Sequence, residues 1–173
     1  MDKYELTNIT MNYDGYVLYR IRALRDFGDV KKGDLGGCVE LEDNLSHEGD
    51  CWIYDDSIVY FEAFVTGNAK VKGDSIIKGY ATLADNSEVV NSVIKEHVVI
   101  CGNAKVVDSI IDGDVEVYDN SVIENNSLLD KFVVVKGDSK ISNSKIEGDL
   151  VIDNTNVIDA TIKVDGVVIK DLV

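Results

Sequence analysis

The sequence predicts an all-β chain, a triangular solenoid of short parallel strands behind an N-terminal β-hairpin cap. Two observations predict it. A tetrapeptide of Asp or Asn, Ser, one variable residue and an aliphatic recurs six times. It stands at Asp56-Ser57-Ile58-Val59, Asp74-Ser75-Ile76-Ile77, Asn91-Ser92-Val93-Ile94, Asp108-Ser109-Ile110-Ile111, Asn126-Ser127-Leu128-Leu129 and Asn143-Ser144-Lys145-Ile146. Its starts lie 17 or 18 residues apart, a register that chance does not keep. Within each period an aliphatic returns every sixth residue, at 35 and 41 and then from 53 to 164. The step shortens to five at 89 to 94, 106 to 111 and 141 to 146, always on the same third of the period, and His47 is the single break.

Residues 1–34 read as the cap. Tyr4 to Met11 and Tyr16 to Leu24 are strand-like and joined through Asn12-Tyr13-Asp14-Gly15, and Asp-Gly is a favoured hairpin turn. Residues 35–173 then form nearly eight laps, with Leu35 as the first corner. Two places before each aliphatic stands a small residue such as Ala63, Ala69, Ala81, Ser87, Ala104, Ser121 or Ser139. Strand alternation sends both positions inward and the residue between them outward. Pairs such as Gly67-Asn68, Asp85-Asn86, Gly102-Asn103 and Asp119-Asn120 separate the strands and tolerate positive φ. The six repeated serines should therefore point inward, with Cys51 inward and Cys101 outward. The last segment, Val167-Val168-Ile169-Lys170-Asp171-Leu172-Val173, is apolar without a polar cap, which leaves strand edges for a partner subunit to cover.

Outward residues on the serine face are Ile58, Ile76, Val93, Ile110 and Leu128, then Lys145 and Lys163; the neighbouring face adds Phe64, Val99, Val134 and Val151. Five consecutive apolar side chains at one lateral position are read as an oligomer interface. The alternative is that the hairpin folds down over them.

The spacing resembles the hexapeptide-repeat superfamily of left-handed parallel β-helices over roughly residues 35–170, as in Val65-Thr66-Gly67-Asn68-Ala69-Lys70. Left-handedness and assembly as a homotrimer are what that resemblance implies. The opening segment, from Tyr19-Arg20-Ile21-Arg22-Ala23-Leu24 through Leu35-Gly36-Gly37 to Asn44-Leu45-Ser46-His47-Glu48-Gly49, resembles small bacterial and phage-borne members labelled acyltransferases on the strength of the repeat.

The formal charge of −15 is carried wholly by residues 35–173, because the first 34 hold six basic and six acidic residues. Much of it is Asp at corners. It argues against direct binding of a phosphate backbone, which needs clustered Lys and Arg. No apolar run reaches membrane-spanning length, and the first thirty residues lack a signal-peptide core. Three cysteines without paired spacing point to a reducing, cytoplasmic compartment, that of a bacterium or of a phage-infected one.

Candidate chemistry is sparse. His47 takes an aliphatic slot and reads as an inward, hydrogen-bonded capping residue. His97, at the turn Lys95-Glu96-His97-Val98, should be exposed. Acyltransferases of this superfamily use a histidine to deprotonate the acceptor, together with a protruding loop and a neighbouring subunit; no loop interrupts the register from Leu35 to Val164. The superfamily's carbonic anhydrases hold zinc through three histidines, and this chain has two. No metal site, no cofactor and no catalytic residue are therefore assigned. Arg20, Arg22 and Arg25, the only arginines, could grip a carboxylate, a phosphate or a small nucleotide, or else pair with acids of the first laps. The leading expectation is a non-enzymatic oligomeric β-helix that binds a protein or small ligand. Its phage-like relatives point to an antagonist of a bacterial defence system, acting on a host protein as an acidic decoy or sequestering a nucleotide. The alternative is an acyl-CoA-dependent O- or N-acyltransferase.

Overall fold

Strands of two or three residues are stable only when each lies in register on the same strand of the next lap. The computed structural model, which describes residues 2–170, has that arrangement: a parallel β-solenoid of about eight turns. On the serine face Ile76 pairs with Ile58 and Val93, Ile110 with Val93 and Leu128, and Lys145 with Leu128. A second face stacks Phe64–Val65, Thr82–Leu83, Val99–Ile100 and Glu116–Val117. A third stacks seven strands from Trp52–Ile53 to Asn156–Ile158. Among the described residues no helix is long and apolar enough to cross a membrane.

The six-residue pattern marks the core as the alternation requires. Every aliphatic slot from Ile53 to Ile152 is fully buried, as are Ala63, Ala69, Ala81, Ala104, Ser87 and Ser121. Each such Val, Ile or Leu contributes about 1.5–3 kcal/mol before entropy is counted. The repeated serines point inward and tie laps together. Ser75, Ser92 and Ser109 each donate a backbone N–H to the serine Oγ one lap back, at 3.3, 3.2 and 3.0 Å. Cys51 is buried and Cys101 half-buried.

Corners explain the acids. Where the second face turns into the third, Gly67, Asp85, Gly102, Asp119, Gly137 and Asn154 alternate, all at positive φ. Asp85 accepts the Gly102 N–H at 3.0 Å and Asp119 that of Gly137 at 2.9 Å. Beside them runs an amide ladder, Asn68 to Asn86 to Asn103 to Asn120 to Asp138, each Nδ2 donating to the next Oδ1 at 2.9–3.1 Å.

The regular frame fails at both ends. Leu35 and Leu41 are exposed; Val39 and Leu45 fill the first core positions instead. The cause is a step of eight residues from Leu45 to Ile53, opposite the six from Val65 to Val71. The step before it, Val39 to Leu45, keeps six residues through a 3-10 turn at Glu42–Asn44. Asn44 holds it by accepting the Leu41 N–H at 2.8 Å and donating to Phe61 O and Ala63 O at 2.8 Å. At the far end Val157 is buried and Ile158 exposed, and Ile162 follows on Ile146. Adjacent Val157 and Ile158 hide a five-residue step from the sequence, so Lys145 is followed by Thr161, and Lys163 lies elsewhere.

At the N-terminus β1 (Tyr4–Tyr13) and β2 (Tyr16–Ala23) form the expected hairpin, with Asp14 and Gly15 both at positive φ. β2 pairs antiparallel with β3 (Leu35–Val39), which pairs parallel with Ile58–Val59, so hairpin and solenoid share one sheet. Leu18, Tyr13 and Tyr16 pack on Cys38, Ile58 and Tyr60. Below them Lys3 is fully buried; its Nζ donates to Cys51 O at 2.9 Å and lies 3.1 Å from Cys51 Sγ. Burial holds the Lys3 amine below its ordinary range and pushes the Cys51 thiol up.

Candidate functional site

Each lap turns from the serine face into the second face through one residue at positive φ: Phe61, Gly79, Glu96, Gly113, then Lys131. The residue after it projects from the solenoid. Lap stacking therefore sets Glu62, Tyr80, His97, Asp114 and Phe132 in one column, the middle ones fixed by Tyr80 N–H to Glu96 O at 2.8 Å, His97 N–H to Gly113 O at 3.1 Å and Asp114 N–H to Lys131 O at 2.8 Å.

In that column His97 Nδ1 lies 3.1 Å from Asp114 Oδ1, and the imidazole stacks on Tyr80 with centroids 4.9 Å apart and planes 10° off parallel. Phe61 meets Tyr80 edge-on at 5.6 Å, and Tyr16 of the hairpin meets Phe61 at 6.3 Å. An open cleft of about 250 Å³ lies alongside, lined by Tyr16, Tyr60, Phe61, Lys78, Tyr80 and Glu96. The Asp114 carboxylate thus lies at the Nδ1 edge of the ring, with Nε2 on the edge away from it. The His97 side chain is 60% exposed, so that nitrogen is reachable. The chain thus holds an oriented imidazole with one carboxylate behind it and an aromatic wall beside it.

His97 was expected at an exposed turn and is found there; its two partners were missed. The signal was available, because Tyr80, His97 and Asp114 are spaced by one 17-residue lap.

His47 does not point into the core; that slot belongs to Leu45. Its ring stacks on Tyr4 at 4.4 Å, Nδ1 accepts the Lys3 N–H at 3.1 Å, and Nε2 meets Glu42 Oε1 at 2.9 Å. With both nitrogens engaged it acts as a cap. The three arginines do not converge. Arg20 donates to Gly36 O at 3.0 Å and Asp56 Oδ1 at 2.7 Å, Arg22 pairs with Glu5 across the hairpin, and Arg25 lies over the Phe27 ring at 5.6 Å. Of the outward ladder, Ile58 is buried by the hairpin, which also leans on Ile76; Val93 and Leu128 are half-buried and Ile110 is 43% exposed. Asn91, Asp108 and Asn126 border the uncovered rungs in a shallow groove. Among the described residues no three His, Cys, Asp or Glu side chains converge as a metal site.

A family model described as GlmU-like, C-terminal hexapeptide, matches residues 44–133, just over half of the chain. The chain belongs to this family. Its solenoid is the left-handed hexapeptide β-helix. This GlmU-like hexapeptide chain is also 39% identical over 77 residues to an uncharacterized acetyltransferase, YdcK, of Escherichia coli (strain K12). That stretch is 44% of this chain and 24% of the relative, so the GlmU-like chain spans about a quarter of the protein it matches.

Proposed function

We propose that the protein transfers an acyl group from a thioester to a hydroxyl or amine, with His97 as general base. The observation that carries this is the His97–Asp114 contact with Tyr80 stacked on the same ring. In the proposed step Nε2 takes the acceptor's proton as its oxygen or nitrogen attacks the thioester carbonyl. The tetrahedral intermediate then expels the thiolate, and the imidazolium returns a proton to that sulfur. Asp114 holds the tautomer and balances the transient positive charge. The acetyltransferase name of the relative supports this class over a purely binding role.

The cleft is open on one side, and the serine face beside it keeps uncovered apolar rungs at Val93, Ile110 and Leu128. A second copy docked along them would wall the cleft, and a homotrimer of parallel axes does this three times. A second reading keeps the same cleft as a binding site without turnover; the exposed aromatic rim of Tyr80 and Phe61 favours a flat ligand there.

The test is thiol release from acetyl-CoA with a panel of amine and hydroxyl acceptors. His97→Asn should lower kcat/KM by about 10²–10⁴-fold, the usual worth of a positioned base. Asp114→Asn should lower it less. Absence of turnover with every acceptor sinks the catalytic reading. Stabilisation of the wild-type chain by a ligand, unchanged in His97→Asn, would then favour the binding one.

A further inference from the structure

The cleft beside His97 is walled by the rings of Tyr16, Tyr60, Phe61 and Tyr80, and its charged groups are Asp14, Lys78 and Glu96. Lys78 shows what such a wall holds. Its Nζ stands 5.8 Å from the centre of the Tyr60 ring and 3.3 Å from Asp14 Oδ2, an ammonium between a ring face and a carboxylate. Tyr54 has the same company elsewhere, with Lys70 Nζ at 5.7 Å from its ring and 3.0 Å from Asp29 Oδ1. On the side of the cleft toward His97 the rings and acids are present without the lysine. Phe61 and Tyr80 are 38% and 52% exposed, Glu96 lines the cleft, and Glu62 precedes Tyr80 in the column. Among the described residues no Lys or Arg lies over either ring or pairs with either acid.

Phe61 adds an independent observation. At this corner the following laps place Gly79, Glu96, Gly113 and Lys131, and Phe61 shares their positive φ, at +61°. It is the one apolar side chain among the described residues in that conformation, which bulky residues adopt only under strain. Its N–H donates to Glu40 Oε2 at 2.8 Å, and its ring meets Tyr80 and Tyr16 edge-on. The strained corner thus sets an aromatic ring on the cleft wall where the repeat elsewhere uses glycine.

We propose that this cleft binds a small apolar amine in its ammonium form and that this amine is the acyl acceptor. As acceptor it rests on the acyl-transfer reading; as ligand it rests on the cleft alone. The ammonium lies against Phe61 and Tyr80 as Lys78 lies against Tyr60, because a ring face is the negative part of its quadrupole. Glu96 and Glu62 supply the opposite charge. A phosphorylated or carboxylated acceptor is disfavoured, since the charged members of the column beside His97 are Glu62 and Asp114. Tyr80 stacks on His97, so an amine over Tyr80 is one lap, about 4.8 Å, from the imidazole. The transfer balances. The C–N bond forms as the C–S bond breaks; His97 carries one ammonium proton to the sulfur, water takes a second, and the third stays on the amide nitrogen.

Titration of the full chain at neutral pH, followed by the NMR signals of the ligand, tests binding without turnover. Phenethylamine, phenethyl alcohol and phenylacetate share one body and differ in charge. The amine should bind about tenfold tighter than the alcohol and lose that advantage at high salt, with phenylacetate weakest. Glu96→Gln should weaken the amine by about two- to fivefold and leave the alcohol unchanged. Tyr80→Phe should keep the amine's affinity and Tyr80→Leu should lose it, because the ring face is what the cation meets. Selective amine binding without thiol release from acetyl-CoA would keep the ligand assignment and remove the acyl-transfer reading. Thiol release with hydroxyl acceptors and no preference for the amine would do the reverse. No amine binding, equal affinity for amine and alcohol, or equal losses in Tyr80→Phe and Tyr80→Leu would each overturn the proposal.

Discussion

Gly102→Ala measures how tightly the laps are stacked. Gly102 sits at φ +72°, and an added Cβ would lie 2.8 Å from Asp119 O, 2.9 Å from Asp119 N and 3.1 Å from its Cα. All three are backbone atoms of the next lap, and that lap is held by Asn103 N–H to Asp119 O at 2.7 Å. Nothing flexible is available to move. The left-handed conformation costs an alanine about 1–2 kcal/mol. Forcing the laps apart adds about 1–3 kcal/mol, and alanine's stiffer unfolded chain returns about 0.4–1 kcal/mol. The expected net loss is roughly 2–4 kcal/mol. Gly15→Ala is the control: Gly15 has φ +86° and no atom within 4 Å, so only the conformational share applies, about 1 kcal/mol. Urea unfolding followed by circular dichroism compares the two. Equal losses in both variants, within about 0.5 kcal/mol, would mean that the corners are not close-packed and that glycine is there for φ alone.

Two further outcomes follow from the same geometry. Lys3→Ala should lower stability by about 2–4 kcal/mol, since it empties a fully buried site and strips the Cys51 carbonyl of its 2.9 Å donor. Lys3→Met should recover the packing and keep a deficit of about 1–2 kcal/mol; full recovery in urea titrations would show that the amine is dispensable. Ile110→Asp with Leu128→Asp should reduce the assembly mass through the lateral ladder, and an unchanged mass by light scattering would remove that ladder as an interface.

How much of this was legible in the sequence follows from where repetition stops. Between Ile53 and Ile152 the spacing of aliphatics places the whole core, because an outward shift by one residue would bury Lys72, Glu88 or Lys105. At the ends that penalty vanishes. Leu35 and Leu41 are aliphatic but out of frame, because two extra residues between Leu45 and Ile53 set the first core positions at Val39 and Leu45. At Val157-Ile158 both residues can fill the slot, and only the Asn154 and Asp159 corners, each at positive φ, decide for Val157. Lys3 was invisible for a different reason. Its burial depends on the hairpin lying across the first lap, a contact between residues 48 apart with no periodic signature.

The site was less legible than the core, because in a solenoid chemistry is written down columns. Tyr80, His97 and Asp114 share no local motif: their neighbours are Gly79, Glu96 and Gly113, ordinary corner residues. One lap brings residues 17 apart to the spacing of adjacent strands, about 4.8 Å, which suits a ring stack or a carboxylate contact. A search for catalytic spacing in a lap of this size should therefore look for His and an acid at i and i+17 at the same corner. His97 with Asp114 satisfies it, whereas His47 falls in the irregular first lap, where no repeat sets a partner above or below it. The same logic separates the acids by what they meet. Asp85 and Asp119 answer a glycine N–H on the next lap, so their charge has a local reason; Asp114 meets an imidazole instead, which is why the proposed function rests on it.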